Sequence, residues 1–163
     1  MKTPEKVVYH IVKWLKDYLK DSNMNGFVVG VSGGIDSAVT STLCSLTGAP
    51  VLCLEMEIHQ DSKQVSRAQE HIEWLKNKFD NVRHHNVSLT EVFDGFVDGL
   101  PKTDEKDTKL LSLANTRARL RMTTLYYFAA LHHYLVAGTG NKEEDFGVGF
   151  YTKYGDGGED LSP

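Results

Sequence analysis

Basic charge, cysteine and long apolar runs are all scarce in this chain of 163 residues, and each scarcity closes off a class of protein. Lys and Arg number 18 against 22 Asp and Glu, a formal net charge of −4. Proteins that live on nucleic-acid phosphates show the opposite balance, so no nucleic-acid partner is expected. Small anionic substrates stay open, since a few placed cations suffice for them. Cys44 and Cys53 lie in apolar stretches and make neither a disulfide framework nor a zinc-ligand spacing. No apolar run approaches the ~20 residues that span a bilayer. Met1 to Lys6 leads into an amphipathic stretch rather than a signal-peptide core. The expectation is a cytoplasmic, reduced, soluble protein with no membrane partner. What is present is ordinary globular material, 40% hydrophobic and 25% charged, enough for one domain with its own core.

Periodicity gives the order of elements. Thr3-Pro4 reads as a helix start, with Thr3 as N-cap and Pro4 in the first turn, and Val7, Val8, Ile11, Val12, Leu15 and Leu19 recur at helical spacing to about Lys20. Phe27 to Val31 suits a buried parallel strand, followed by a Ser-Gly-Gly break and a helix from Asp36 to Leu46. Val51 to Glu57 is predicted as a second strand. A helix from Asp61 to Phe79 follows, capped by Asp61 with Gln64 three residues on. Val82 to Val87 is a weaker third strand, and Leu89 to Lys102 a short helix ending at Gly99-Leu100-Pro101. A long helical pattern runs from about Asp104 to Tyr134, with an interruption expected near Asn115, and Leu135 to Thr139 is a fourth strand. Strands alternating with helices predict an α/β fold, a doubly wound parallel sheet covered by helices on both faces. Glycine is dense from Gly140 onward and no periodic element follows, an ending that reads as a fragment of a longer domain.

The densest chemical signal is Gly30-Val31-Ser32-Gly33-Gly34-Ile35-Asp36-Ser37, a strand end, a glycine turn and a helix start in one run. Glycines let backbone N–H groups approach an anion, and the helix N-terminus adds partial positive charge. Ser32 and Ser37 can offer hydroxyls to phosphate oxygens. Asp36 is out of place beside an anion until a divalent cation joins it, whereupon the carboxylate becomes a Mg²⁺ ligand. The bland reading is a βα turn in which Asp36 or Ser37 caps the helix. The run lacks the Gly-Lys-Ser/Thr of a Walker loop and the third glycine of the dinucleotide fingerprint. It resembles the Ser-Gly-Gly-x-Asp-Ser pyrophosphate loop of the N-type ATP pyrophosphatases, which adenylate an oxygen with ATP and then let a nitrogen or sulfur nucleophile displace AMP.

Two later segments narrow the resemblance. One is Asn115-Thr116-Arg117-Ala118-Arg119-Leu120-Arg121-Met122, where Arg117 and Arg121 share a helix face and Arg119 points elsewhere. The other begins at Gly138-Thr139-Gly140-Asn141-Lys142-Glu143-Glu144 and continues through Thr152-Lys153-Tyr154-Gly155-Asp156-Gly157-Gly158 to Asp160. In this order they resemble the ammonia-dependent NAD synthetases, over essentially the whole chain. Asn141 to Asp145 departs from the His-Ala-Ala-Glu form of some members but keeps Glu144 five residues after Thr139.

That resemblance implies a single domain over 1–163, lacking its C-terminal part. Gly30, Val31, Ser32, Gly33, Gly34, Ile35, Asp36, Ser37 and Thr139 would bind ATP. Asp36 and Glu144 would hold Mg²⁺, and Arg119, Lys153 and Asp160 would contact deamido-NAD. Asp36 and Lys153 would be the catalytic pair, and the Gly-rich stretch of about 140–160 a lid. It further implies a ligase: nicotinic acid adenine dinucleotide, ATP and ammonia giving NAD, AMP and pyrophosphate through an acyl-adenylate, in a homodimer. Leu125, Tyr126, Phe128, Ala129, Leu131 and Leu135 make the helix after Met122 apolar on more than one side, suiting either a dimer face or a buried helix. The seven histidines show no metal spacing and read as incidental. The alternatives are a GMP synthetase-like or tRNA-thiolating N-type enzyme and an ATP-binding fragment without turnover.

Overall fold

Phe27, Val28 and Val29 are consecutive and all fully buried, which a strand permits only when both faces of its sheet are covered. A computed structural model of the chain describes residues 3–102, 106–143, 147, 149 and 151–163. Strands β1 (Gly26–Gly30), β2 (Val51–Glu55), β3 (Val82–Asn86) and β4 (Tyr134–Ala137) form a parallel sheet in the order β3-β2-β1-β4. Val28 sits at its centre, level with Leu52 on one side and Val136 on the other.

The two faces have separate cores. Phe27, Val29, Val51, Cys53 and Val82 meet Leu15 of α1 (Pro4–Asp21), Leu43 and Cys44 of α2 (Ile35–Leu46), and Ala68, Ile72 and Leu75 of α3 (Ser62–Lys78). Val28, Leu52, Leu54 and Val136 meet Phe93 of α4 (Thr90–Asp98) and Met122, Leu125 and Ala129 of α5 (Lys106–His132). Each of these side chains contributes about 1.5–3 kcal/mol when fully buried, if it is the size of Val or larger. The doubly wound α/β fold read from the sequence is the fold observed. Among the described residues, no helix is long and apolar enough to cross a membrane.

Several boundaries differ from the sequence reading for local reasons. β2 stops at Glu55 rather than Glu57: its neighbour β1 ends at Gly30, and beyond that point the Met56 carbonyl accepts from Arg121 Nε at 3.0 Å. The interruption expected at Asn115 does not occur. Its side-chain oxygen accepts from Thr152 Oγ1 at 3.1 Å and so does not compete with the helix backbone. α5 ends at His132, His133 takes a left-handed turn at φ +56°, and Tyr134 begins β4. Leu135 therefore belongs to the strand core and not to a helix face. Thr3 stands at the N-cap position of α1 without a side-chain cap bond, whereas Asp61 caps α3 by accepting from the Lys63 N–H at 2.8 Å.

The last residues return to the sheet. Leu161 forms a parallel bridge to Ala137, the Gly138 N–H donates to the Leu161 carbonyl at 2.8 Å, and the Asp160 N–H donates to the Val136 carbonyl at 3.1 Å. Leu161 is buried in the same core as Leu15 and Ala137. This pairing extends the sheet beyond β4 and was not expected from the sequence pattern.

Candidate functional site

The chain runs outward from β1 to β2 and β3, then returns to place β4 on the other side of β1. That reversal parts the connections above the β1 and β4 carboxyl ends, where doubly wound sheets leave a ligand crevice. A crevice of about 300 Å³ opens there, lined by Gly30, Val31 and Ser32 after β1, by Val136 to Thr139 of β4 and its exit, and by one stripe of α5. Its apolar floor is Met56, Met122 and Leu125. Gly30 keeps the floor open, since a Cβ there would press to 3.1 Å from the Met56 methyl.

The glycine turn borders the crevice at Ser32. Gly33 has φ +80°, and a Cβ at that position would overlap the Gln64 carbonyl oxygen of α3. Both the conformation and the close approach to α3 therefore require glycine. Ser37 is buried and holds the turn together: its Oγ donates to the Gly34 carbonyl at 2.9 Å and accepts from the Ser32 N–H at 3.2 Å. Ser32 is exposed, with its Oγ 3.3 Å from Ser37 Oγ and accepting from the Gly34 N–H at 3.3 Å. The two hydroxyls thus have different positions: Ser37 is engaged within the loop, while Ser32 lines the crevice. Gly34 is the N-cap of α2 and no side chain caps the helix, so Asp36 is not a capping residue. Asp36 is exposed, and its carboxylate has no partner among the described residues. A bare carboxylate beside the unpaired N–H groups of a helix start fits a divalent cation held between it and a phosphate. Among the described residues no group of three metal-ligating side chains assembles, and Glu144 lies outside the described residues.

Thr139 is half-buried on the opposite wall. Thr40 Oγ1 donates to the Gly138 carbonyl at 3.3 Å, tying the β4 exit to α2. The Glu159 side chain occupies the space a Cβ of Gly138 would take. Above the crevice, 151–158 lies on α5. Arg119 Nε donates to the Lys153 carbonyl at 3.1 Å, Gly155 packs on Ala118, and Thr152 meets Asn115. The structure therefore brings Arg119 and Lys153 together, with Lys153 Nζ exposed 4.9 Å over the Tyr154 ring.

Asp160 stands apart from them. Its carboxylate accepts from the Tyr126 hydroxyl at 2.7 Å and from the Val136 N–H at 2.8 Å. Burial, followed by the Asp160 carboxylate, pushes the Tyr126 phenol above its usual range. Asp160 is thus a clasp holding the C-terminal segment to β4 and α5. Removing it leaves the N–H of a fully buried residue without its acceptor. Asp160→Ala is expected to lower folding stability by about 2–3 kcal/mol in urea unfolding, and Tyr126→Phe by about 1 kcal/mol. A change below ~0.5 kcal/mol for Asp160→Ala would contradict the clasp.

The remaining candidates resolve into structural roles. Burial pushes the Cys53 thiol up to about 12 and Cys44 higher still, so neither supplies a thiolate. His84 meets the buried Glu55 at 2.8 Å, His59 meets Asp94 at 2.7 Å, and His71 meets Ser41 Oγ at 2.9 Å. Arg117 stacks over Phe93 at 4.4 Å. Gln60, Arg121 and Asp156 line the crevice without having been singled out for it. Gln60 follows the carboxyl end of β2, the side of the sheet where the crevice was to be sought, so topology was the available signal.

Comparison with known proteins gives a consistent picture. The family model described as NAD synthase matches residues 7–163. The NH(3)-dependent NAD(+) synthetase of Carboxydothermus hydrogenoformans is 37% identical over 166 residues, covering 98% of this chain and 63% of the relative. That of Mycoplasma genitalium is 38% identical over 160 residues, covering 97% and 61%. Among solved structures, the NMN synthetase of Francisella tularensis superposes with a TM-score of 0.88 at 32% identity, covering 100% of this chain and 65% of that one. The NH3-dependent NAD synthetase of Campylobacter jejuni, in complex with nitrate, gives 0.86 at 30% identity, covering 100% and 67%. The chain thus spans about three fifths of the length of the curated relatives it matches.

Proposed function

The chain belongs to the NAD synthase family, and from that premise we propose that it carries the ATP-dependent amidation of nicotinic acid adenine dinucleotide by ammonia, giving NAD, AMP and pyrophosphate. Membership sets aside the GMP-forming and tRNA-thiolating alternatives. The observation that carries the proposal is the Ser32–Ser37 turn, whose glycine-dependent shape sets a helix start with an exposed, partnerless Asp36 carboxylate next to Ser32, which lines the switch-point crevice.

In this reading ATP lies with its base over the apolar floor and its phosphates against Ser32 to Ser37, with Thr139 on the facing wall. The nicotinate carboxylate attacks the α-phosphorus, and pyrophosphate departs toward the loop amides, which stabilise its growing charge. Ammonia then attacks the acyl carbon and AMP leaves. Asp36, with Glu144, would hold Mg²⁺, which when bound neutralises phosphate charge. Arg119 and Lys153 contact the deamido-NAD, and the segment of about 140–160 shields the acyl-adenylate from water. Asp160, engaged with Tyr126 and Val136, would reach substrate through the exposed part of its carboxylate. The exposed Val92, Phe96, Leu110, Leu111, Tyr127 and Leu131 on α4 and α5 support a homodimer formed through these helices. A cytoplasmic site of action agrees with two free, buried cysteines.

The likeness to an NMN synthetase favours one further substrate, the acid form of the mononucleotide, which presents the same nicotinate carboxylate. The test supplies ATP and Mg²⁺ with either deamido-NAD or nicotinic acid mononucleotide, with and without ammonium, and follows AMP, pyrophosphate and the amide. Ammonium-dependent amide is the expected result, and the better acid identifies the substrate. ATP binding with no AMP released from either acid would reduce the chain to a nucleotide-binding piece.

A further inference from the structure

Arg121 is half-buried on the stripe of α5 that lines the crevice, beside Ala118, Met122 and Leu125. Its Nε donates to the Met56 carbonyl at 3.0 Å, and the rest of the guanidinium has no partner among the described residues. No carboxylate lies within ion-pair distance of it among those residues. Asp156, which also lines the crevice, instead accepts from the Thr152 N–H at 3.1 Å. Burial and the neighbouring Arg117 both press the Arg121 pKa downward, so the cation is placed where it is poorly stabilised by the protein alone. A guanidinium is always charged and cannot relieve that cost by losing its proton.

Capping one carbonyl uses a single N–H of the fork and does not call for a charge. The crevice supplies the missing reason. It is lined by the apolar Met56, Met122 and Leu125 and by Ser32 of the glycine turn, and Arg121 is the one cation lining it among the described residues. A nucleotide with its base on Met56, Met122 and Leu125 and its terminal phosphates at the turn carries its first phosphate between them.

We infer that Arg121 binds the phosphate nearest the ribose of the nucleotide held in this crevice, fixed in place by its bond to the Met56 carbonyl; this rests on the nucleotide reading above. Arg121 then contributes to the affinity for AMP and ATP and contributes nothing to adenosine. During the proposed reaction the same contact would hold the phosphorus that the carboxylate attacks.

The experiment measures binding of adenosine, AMP and Mg²⁺-ATP to the native chain and to R121K and R121Q, by calorimetry and, for weak adenosine binding, by ligand-observed NMR. R121Q is expected to weaken AMP and ATP roughly 10- to 100-fold with adenosine unchanged. R121K is expected to fall between, because lysine keeps the charge and loses the fork. Equal weakening of adenosine and AMP would overturn the inference, making Arg121 a support for the Met56 loop; so would unchanged affinity for all three. Where circular dichroism shows R121Q unfolded, the R121K ratio of AMP to adenosine affinity decides by the same rule. A native chain that binds none of the three would overturn the nucleotide reading itself.

Discussion

Gly33→Ala is expected to abolish measurable ATP binding and to lower folding stability by about 2–6 kcal/mol. A left-handed backbone costs a side chain about 1–3 kcal/mol. The added Cβ overlaps the Gln64 carbonyl, which belongs to the backbone of α3 and cannot swing aside. Forcing atoms into filled space costs a further ~1–3 kcal/mol. Against a total stability of about 5–15 kcal/mol this is a large fraction. Gly48 supplies the control, because it has φ +78° and open space around its missing Cβ. Gly48→Ala therefore carries the conformational cost alone. The difference between the two variants in urea unfolding isolates the contact with α3, and equal midpoints would show that the contact is soft.

Asp36→Asn separates charge from shape at the same turn. Asp36 is exposed and without a partner, so its removal costs at most about 1 kcal/mol, the interaction of a carboxylate with a helix start. Its effect on ligand depends on metal. Without Mg²⁺ the native carboxylate repels the phosphates, and the variant is expected to bind ATP more tightly than the native chain. With Mg²⁺ the order is expected to reverse if Asp36 holds the metal as proposed, because the variant then lacks one of its ligands. Amide formation is expected to fall by roughly 10²-fold or more, corresponding to several kcal/mol of lost charge stabilisation. ATP titrations with and without Mg²⁺ decide the matter. Tighter binding by the variant under both conditions would remove Asp36 from the metal site.

The parts of the molecule that could be read from its sequence are those whose causes are local. The Ser-Gly-Gly turn, the buried strands and the Asp61 cap each depend on residues a few positions apart, and each stands where the pattern placed it but for shifted strand ends. What could not be read involves distant partners. Asn115 suggested a helix break because the Thr152 that occupies its side chain is 37 positions away. Arg121 carried no more signal than its two neighbours, since the Met56 carbonyl that orients it is 65 positions away. Asp160 offered a carboxylate to be matched with a ligand, whereas its partners Tyr126 and Val136 are found only after the chain has returned to the sheet. Arg119 and Lys153 illustrate the other outcome: the resemblance assigned them to one ligand from segments far apart in the chain, and the fold sets them side by side.

The return of residues 160–161 to β4 also governs how the sheet meets other chains. An open sheet has two edges, and each presents unpaired backbone groups to which a foreign strand can add. The β3 edge is blunted by its own composition, Arg83, His84, His85 and Asn86 being charged or polar. β4 reads Tyr134-Leu135-Val136-Ala137 and has no such protection within itself. Its shield is the Asp160 carboxylate on the Val136 N–H together with the Leu161 bridge to Ala137. Lifting those two residues away from β4 in this chain is expected to uncover an apolar edge strand to other chains, so the clasp is expected to limit self-association as well as unfolding.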